Sequence, residues 1–93
     1  MKYKVGDLIS IKSKKDILKT CKNISGDLGI EHGNYITLFN EENMAKFCGK
    51  TVKVLNISND CYVIKDPNRD YHWYFPEQWV DPFSKKIKKI LKI

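Results

Sequence analysis

No apolar run in this 93-residue chain approaches the ~18 residues needed to cross a bilayer. The opening segment, Met1-Lys2-Tyr3-Lys4-Val5-Gly6-Asp7, lacks the apolar stretch and small-residue cleavage site of a secretory signal. Cysteine is scarce and odd in number. Cys21, Cys48 and Cys61 are widely spaced and do not make the even disulfide framework of a small secreted domain. They read as free thiols in a reducing compartment, which places the chain in a cytoplasm. The same cysteines, taken with His32 and His72, contain no pair at the C-x₂₋₄-C or H-x₃₋₅-H spacing of structural zinc sites, so no metal is expected. Gly26 and Gly29 lack P-loop or dinucleotide-fold spacing. A thiol–imidazole nucleophile would need one of the cysteines beside His32 or His72 and an oxyanion hole as well, and no motif supports that. The carboxylates fit local roles, Glu41 and Glu42 as helix N-terminal charges and Asp66 and Asp70 as turn residues. The expectation is a binding protein without catalysis or cofactor.

A chain this short makes one domain that buries roughly 60–65% of the surface its unfolded form exposes, leaving little room for a deep catalytic cavity. Its charge is unevenly placed. Of the 17 lysines and arginines, five are lysines within residues 84–93, which hold no acid, so twelve face the 11 acids in residues 1–83. The domain of residues 1–83 is nearly neutral, and the net +6 comes from the segment 84–93.

Along the chain, Gly6-Asp7 reads as a turn into a strand at Leu8-Ile9-Ser10-Ile11, with Ile9 and Ile11 on one face. Ser13 with Asp16 three residues on has capping-box spacing and opens a short helix to about Cys21. Residues 22–34, rich in Asn, Ser, Gly and Asp, read as a long functional loop. A short strand, Tyr35-Ile36-Thr37-Leu38, follows. Asn40 caps a second helix that buries Met44, Phe47 and Cys48 and ends at Gly49. Residues 51–65 read as a hairpin turning at Ser58-Asn59-Asp60. In Tyr71-His72-Trp73-Tyr74-Phe75, alternation puts Tyr71, Trp73 and Phe75 on one face and His72 and Tyr74 on the other. Pro76 opens one helical turn through Val80. Short strands, tight turns and inserted helices predict a mainly β fold, a small barrel that removes exposed edges.

Four pieces occur in order: Lys4-Val5-Gly6-Asp7-Leu8-Ile9-Ser10-Ile11; Met44 with Cys48-Gly49-Lys50-Thr51-Val52; Tyr62-Val63-Ile64; and Trp73-Tyr74-Phe75-Pro76-Glu77-Gln78-Trp79-Val80. Together they resemble a group of small bacteriophage and prophage proteins, over about residues 3–83. That group looks SH3-like and is similar to the barrel repeats of Mind-bomb/HERC2-type ubiquitin ligases, which bind protein segments. The resemblance implies an SH3-like barrel of mobile-element origin that binds a protein in a bacterial host cell. It implies no particular partner. The long connection 13–34 and the extension after Phe83 depart from the group's pattern.

Two candidate sites follow. If His72 and Tyr74 face out, Tyr74 beside Trp79 makes a shallow aromatic groove, of the kind SH3-type barrels use for extended peptides and other folds use to stack nucleobases. The second is the segment 84–93. Phe83, Ile87, Ile90 and Leu91 recur at i, i+4, i+7 and i+8, one helical stripe, with Lys85, Lys86, Lys88, Lys89 and Lys92 around it. A basic amphipathic helix of nine or so residues needs a surface to persist. In decreasing order of fit, that surface is its own barrel, a second copy or partner protein, nucleic acid, or an anionic membrane. The leading expectation is a non-enzymatic protein-interaction module acting on a host protein or defence system. Its rival is a nucleic-acid-binding accessory protein that uses the lysines and exposed aromatics.

Overall fold

The computed structural model describes residues 1–82. Phe83 and the lysine-rich segment after it, with the stripe of Ile87, Ile90 and Leu91, lie outside the described residues. The described part is mainly β, with two short helices. In order it contains β1 (Leu8–Ser10), α1 (Lys14–Thr20), β2 (Lys22–Ile24), β3 (Asp27–His32), β4 (Tyr35–Leu38), α2 (Glu41–Met44) running into a 3₁₀ turn (Ala45–Phe47), β5 (Thr51–Lys53), β6 (Asn56–Ser58), β7 (Cys61–Lys65), β8 (His72–Pro76) and a second 3₁₀ turn (Glu77–Trp79).

Both helices start where a side chain satisfies an otherwise orphan backbone N–H. Ser13 Oγ accepts from Asp16 N at 3.2 Å, and Asn40 Oδ1 accepts from Asn43 N at 3.1 Å. Gly49 follows the first 3₁₀ turn at φ +74°, where a side chain would be strained. Two hairpins are closed by pairs of positive-φ residues, Ser25-Gly26 between β2 and β3 and Asn59-Asp60 between β6 and β7. Such turns match the twist of the strands they join.

The strands form three antiparallel sheets, β1-β5, β2-β3-β4 and β6-β7-β8. Among the described residues they do not close into a barrel by hydrogen bonding, and two readings of the sequence are corrected here. Residues 22–34 are not a loop. They form two strands, and with β4 they make a sheet of their own. Residues 51–65 are not one hairpin. β5 pairs with β1, Ile9 opposite Val52, whereas β6 pairs with β7, Ile57 opposite Tyr62. The change of partner falls at Val54-Leu55. Val54 N donates to Asp7 O at 2.9 Å and Leu55 N to Val63 O at 2.9 Å, so consecutive residues serve different sheets.

One core joins the sheets. Ile9 and Ile11 enter it from the first strand, Ile17 from α1, Met44 and Phe47 from the α2 region, and Tyr62, Ile64, Trp73 and Phe75 from β7 and β8. At its centre lies Trp79, 0% exposed, edge-on to Phe39 (ring centroids 5.4 Å apart) and Phe75 (6.1 Å). Its indole N–H donates to Thr20 Oγ1 at 2.8 Å. Trp79 is therefore not part of a surface groove. A single 3₁₀ turn turns the ring inward, and the position satisfies both its apolar area and its one donor.

The beginning and the end of the described chain are tied together. Tyr3 is buried, and its hydroxyl lies within hydrogen-bond distance of the carbonyls of Asp81 (3.1 Å) and Pro82 (3.2 Å). Ile11 bridges to Val80 across the same seam.

Candidate functional site

β4 has an unusual environment for an apolar strand. Alternation normally sends one set of side chains into a core. Here neither set is buried: Tyr35, Ile36 and Leu38 are all exposed, Ile36 to 57%, and only Thr37 is half-covered. β4 is the outer strand of its sheet and β8 is the outer strand of another. Between them runs a cleft of about 310 Å³ lined by Tyr35, Ile36, Thr37 and Leu38 on one wall and by Tyr71, His72 and Tyr74 on the other. No Asp, Glu, Lys or Arg lines it.

On each wall the edge backbone is turned away from its own sheet. Phe39 N donates to Leu28 O, which makes Leu28 and Phe39 a hydrogen-bonded pair in the β3–β4 ladder. In an antiparallel ladder such pairs alternate with non-bonded ones, so the N–H and C=O groups of Ile36 and Leu38 point away from β3. On the other wall Asp66 N donates to Tyr71 O, and the same alternation turns the backbone groups of His72 and Tyr74 away from β7.

The residues expected to face out do so. His72 is exposed, and Tyr74 is 41% exposed. Tyr71, expected to face in with Trp73 and Phe75, is instead 53% exposed. It precedes β8 in a turn closed by its own N–H to Arg69 O. Its ring lies against Trp73 (centroids 4.7 Å apart) and the Arg69 guanidinium 5.7 Å away. The aromatic surface expected of Trp79 comes instead from Tyr35 and Tyr71. The β4 wall escapes sequence reasoning. Its only signal is four residues with no polar alternation, which ordinarily means a strand buried on both faces.

Behind Thr37 and Cys61, which line the cleft, the fold brings that cysteine to His32. Thr37 Oγ1 lies 2.6 Å from His32 Nε2 and 3.3 Å from Cys61 Sγ, and Cys61 Sγ lies 3.7 Å from His32 Nε2. This is the pairing a thiol nucleophile would require, with the Cys61 side chain itself buried. Burial, the largest effect, pushes the Cys61 thiol up; the Thr37 contact lowers it, and the Asp60 charge adds a smaller upward push. The thiolate is the reactive form, and burial in apolar surroundings disfavours it. The trio latches Thr37 of β4 onto the start of β7. Among the described residues no three His, Cys, Asp or Glu side chains gather as a metal site, and no helix is long and apolar enough to cross a membrane.

No protein-family model, no curated protein and no solved structure matches the chain.

Proposed function

We propose that this chain is a non-enzymatic protein-interaction module that takes an extended segment of a partner protein into the β4–β8 cleft. The observation that carries the reading is the pair of sheet edges facing one cleft, with outward-turned backbone groups at Ile36, Leu38, His72 and Tyr74 and exposed apolar side chains around them. Strand addition uses such edges: main-chain hydrogen bonds supply affinity and alternate side-chain contacts supply specificity. An uncovered apolar edge otherwise invites aggregation, so its retention favours an occupant.

The same proposal holds that the fold is of SH3-like type, from a phage or prophage, and that the module acts in the cytoplasm of a bacterial host, on a host protein or defence system. The ordered motifs between Lys4 and Val80 support this. So does the way residues 51–58 bend between two sheets while Val80 returns to Ile11, since strands that switch sheets at a bend form the corners of orthogonal β packings. The uncharged cleft favours a protein segment over nucleic acid, whose binding rests on phosphate neutralisation.

The test is capture of host proteins on the tagged full chain, with and without nuclease, beside Ile36→Glu, Tyr74→Ala and a chain truncated after Phe83. A nuclease-resistant partner lost with Ile36→Glu and Tyr74→Ala supports the cleft. Recovery of nucleic acid alone, abolished by nuclease or by the truncation, refutes it in favour of the lysine segment.

A further inference from the structure

A second concave surface lies away from the cleft and is independent of the reading above. Where β5 passes the turn between β7 and β8, a cavity of about 490 Å³ opens to solvent. That is within the size range of ligand pockets. Its floor is Phe47, Val52, Leu55, Ile64 and Pro67. Phe47 and Ile64 belong to the core, and Leu55 is left 46% exposed beside them.

The rim is of one sign. Lys46, Lys50, Lys53 and Lys65 line the cavity, and no acidic side chain does. The nearby carboxylate, Asp66, is already committed. It is fully buried, and its Oδ2 accepts from Lys46 at 2.6 Å and from the Trp73 indole N–H at 3.0 Å, while Oδ1 accepts from Asn68 N at 2.9 Å. It also lies 3.5 Å from Arg69 Nε. It thus neutralises Lys46 and anchors the turn, but leaves Lys50, Lys53 and Lys65 with no carboxylate partner among the described residues. Elsewhere on the surface Lys14 is paired with Glu41 and Lys22 with Glu31. An apolar hollow ringed by uncompensated ammonium groups is complementary to a large apolar group flanked by anions.

We infer that this pocket is a docking site for an acidic peptide segment, with a bulky aliphatic or aromatic side chain seated on Val52, Leu55 and Pro67 and its neighbouring Asp or Glu residues on Lys50, Lys53 and Lys65. A peptide suits the site better than a nucleic acid. Base recognition without a code relies on exposed aromatic platforms, and the one ring in the wall, Phe47, is buried. The wall also holds no arginine for bidentate base or phosphate contact. What it offers is an anchor pocket with a polar rim, the anatomy of a protein-interface hot spot.

The experiment is selection of a displayed library of random 12-residue peptides against the full chain, with Lys53→Glu/Lys65→Glu, Leu55→Asp and the cleft variant Ile36→Glu in parallel. All three change exposed side chains, and a thermal melt checks that each variant folds. Enriched peptides should carry one bulky apolar residue with two or more acids within three positions. Binding of a synthetic copy should fall roughly tenfold or more in the charge-reversed and Leu55→Asp chains and hold in Ile36→Glu. The proposal is overturned by four results: no enrichment, acidic peptides with no apolar anchor, binding that survives Lys53→Glu/Lys65→Glu, or a twelve-nucleotide oligo(dT) that displaces the peptide at lower concentration than the peptide's own. Loss in Ile36→Glu alone would point to the cleft and not to this pocket.

Discussion

Truncation of Trp79 separates a core residue from a binding residue. Trp79→Ala removes a ring that is 0% exposed and contacts Phe39 and Phe75 edge-on. Large-to-small changes of this kind cost about 3–5 kcal/mol, since the lost transfer energy is compounded by the cavity left behind. A 93-residue domain has roughly 5–14 kcal/mol to lose. Trp79→Ala should therefore leave a marginal or unfolded chain, and its effect on any binding would follow from that. A finer test uses the indole donor. Thr20→Val keeps the shape but removes the acceptor 2.8 Å from Nε1, stranding a buried N–H at a cost of about 1–3 kcal/mol. Thr20 is half-exposed, so water can reach part of the site and the lower end of that range applies. One kcal/mol corresponds to about 4–8 °C in Tm for a domain of this size. Trp79→Phe deletes the donor instead, and once it is absent Thr20→Val should cost only the hydroxyl's other bond, to Ile17 O at 2.7 Å. Urea unfolding followed by far-ultraviolet circular dichroism on the four chains gives the coupling, expected near ~1 kcal/mol. A Thr20→Val chain within 1 °C of wild type by thermal melt, or additive single effects, would refute the assignment.

Gly29→Ala should destabilise the β2-β3-β4 sheet, because a Cβ there would stand 2.9 Å from the Thr37 carbonyl oxygen and 2.9 Å from Leu38 Cδ2. Overpacking of this kind costs about 1–3 kcal/mol, and hydrogen exchange should rise first in β4; unchanged β4 protection would refute the close packing. The pH dependence of stability should carry two signatures. Tyr62 is pushed above its ordinary value of 10.0, first by burial and then by the Glu77 carboxylate its hydroxyl donates to. The folded state thus holds that proton more tightly, and the contribution is complete below pH 10 and lost as the pH rises beyond it. Asp66 is shifted the other way, chiefly by the Lys46 hydrogen bond, with Trp73 and Asn68 adding to it against burial. Its contribution is present above 3.8 and lost as the pH falls below that value. Tyr62→Phe should flatten only the alkaline limb of Tm against pH and Asp66→Asn only the acid limb; variant curves parallel to wild type would refute the pairing.

What the sequence made legible was local. Ser13 and Asn40 announce helix starts because a cap acts within three residues, and both hold in the structure. His72, Trp73, Tyr74 and Phe75 alternate correctly because β8 has one buried face. The partner switch at Val54-Leu55 was not legible, since which strand a segment pairs with depends on residues as distant as Ile9 and Tyr62. β2 and β3 were hidden by their turn-rich composition. The inward turn of Trp79 was hidden because one 3₁₀ turn is too short to show a period. The β4 wall was visible as a strand but not as a surface, because an apolar strand left uncovered contradicts the rule by which strands are read. The lysine pocket was invisible for another reason: Lys46, Lys53 and Lys65 converge only after the chain has folded.

The tie between Tyr3 and the carbonyls of Asp81 and Pro82 has a consequence for how the molecule comes into being. Synthesis runs from the N-terminus, so the first sheet, both helices and the cleft-forming β4 are all made before Trp79 exists. Until Trp79 and Val80 have emerged from the ribosome, Phe39, Phe75 and Thr20 have no central ring to close on, and Tyr3 has no partner strand across the seam. A nascent chain stalled before Trp79 should therefore be protease-sensitive throughout, and one carried past Pro82 on an added C-terminal linker long enough to span the exit tunnel should become resistant in a single step.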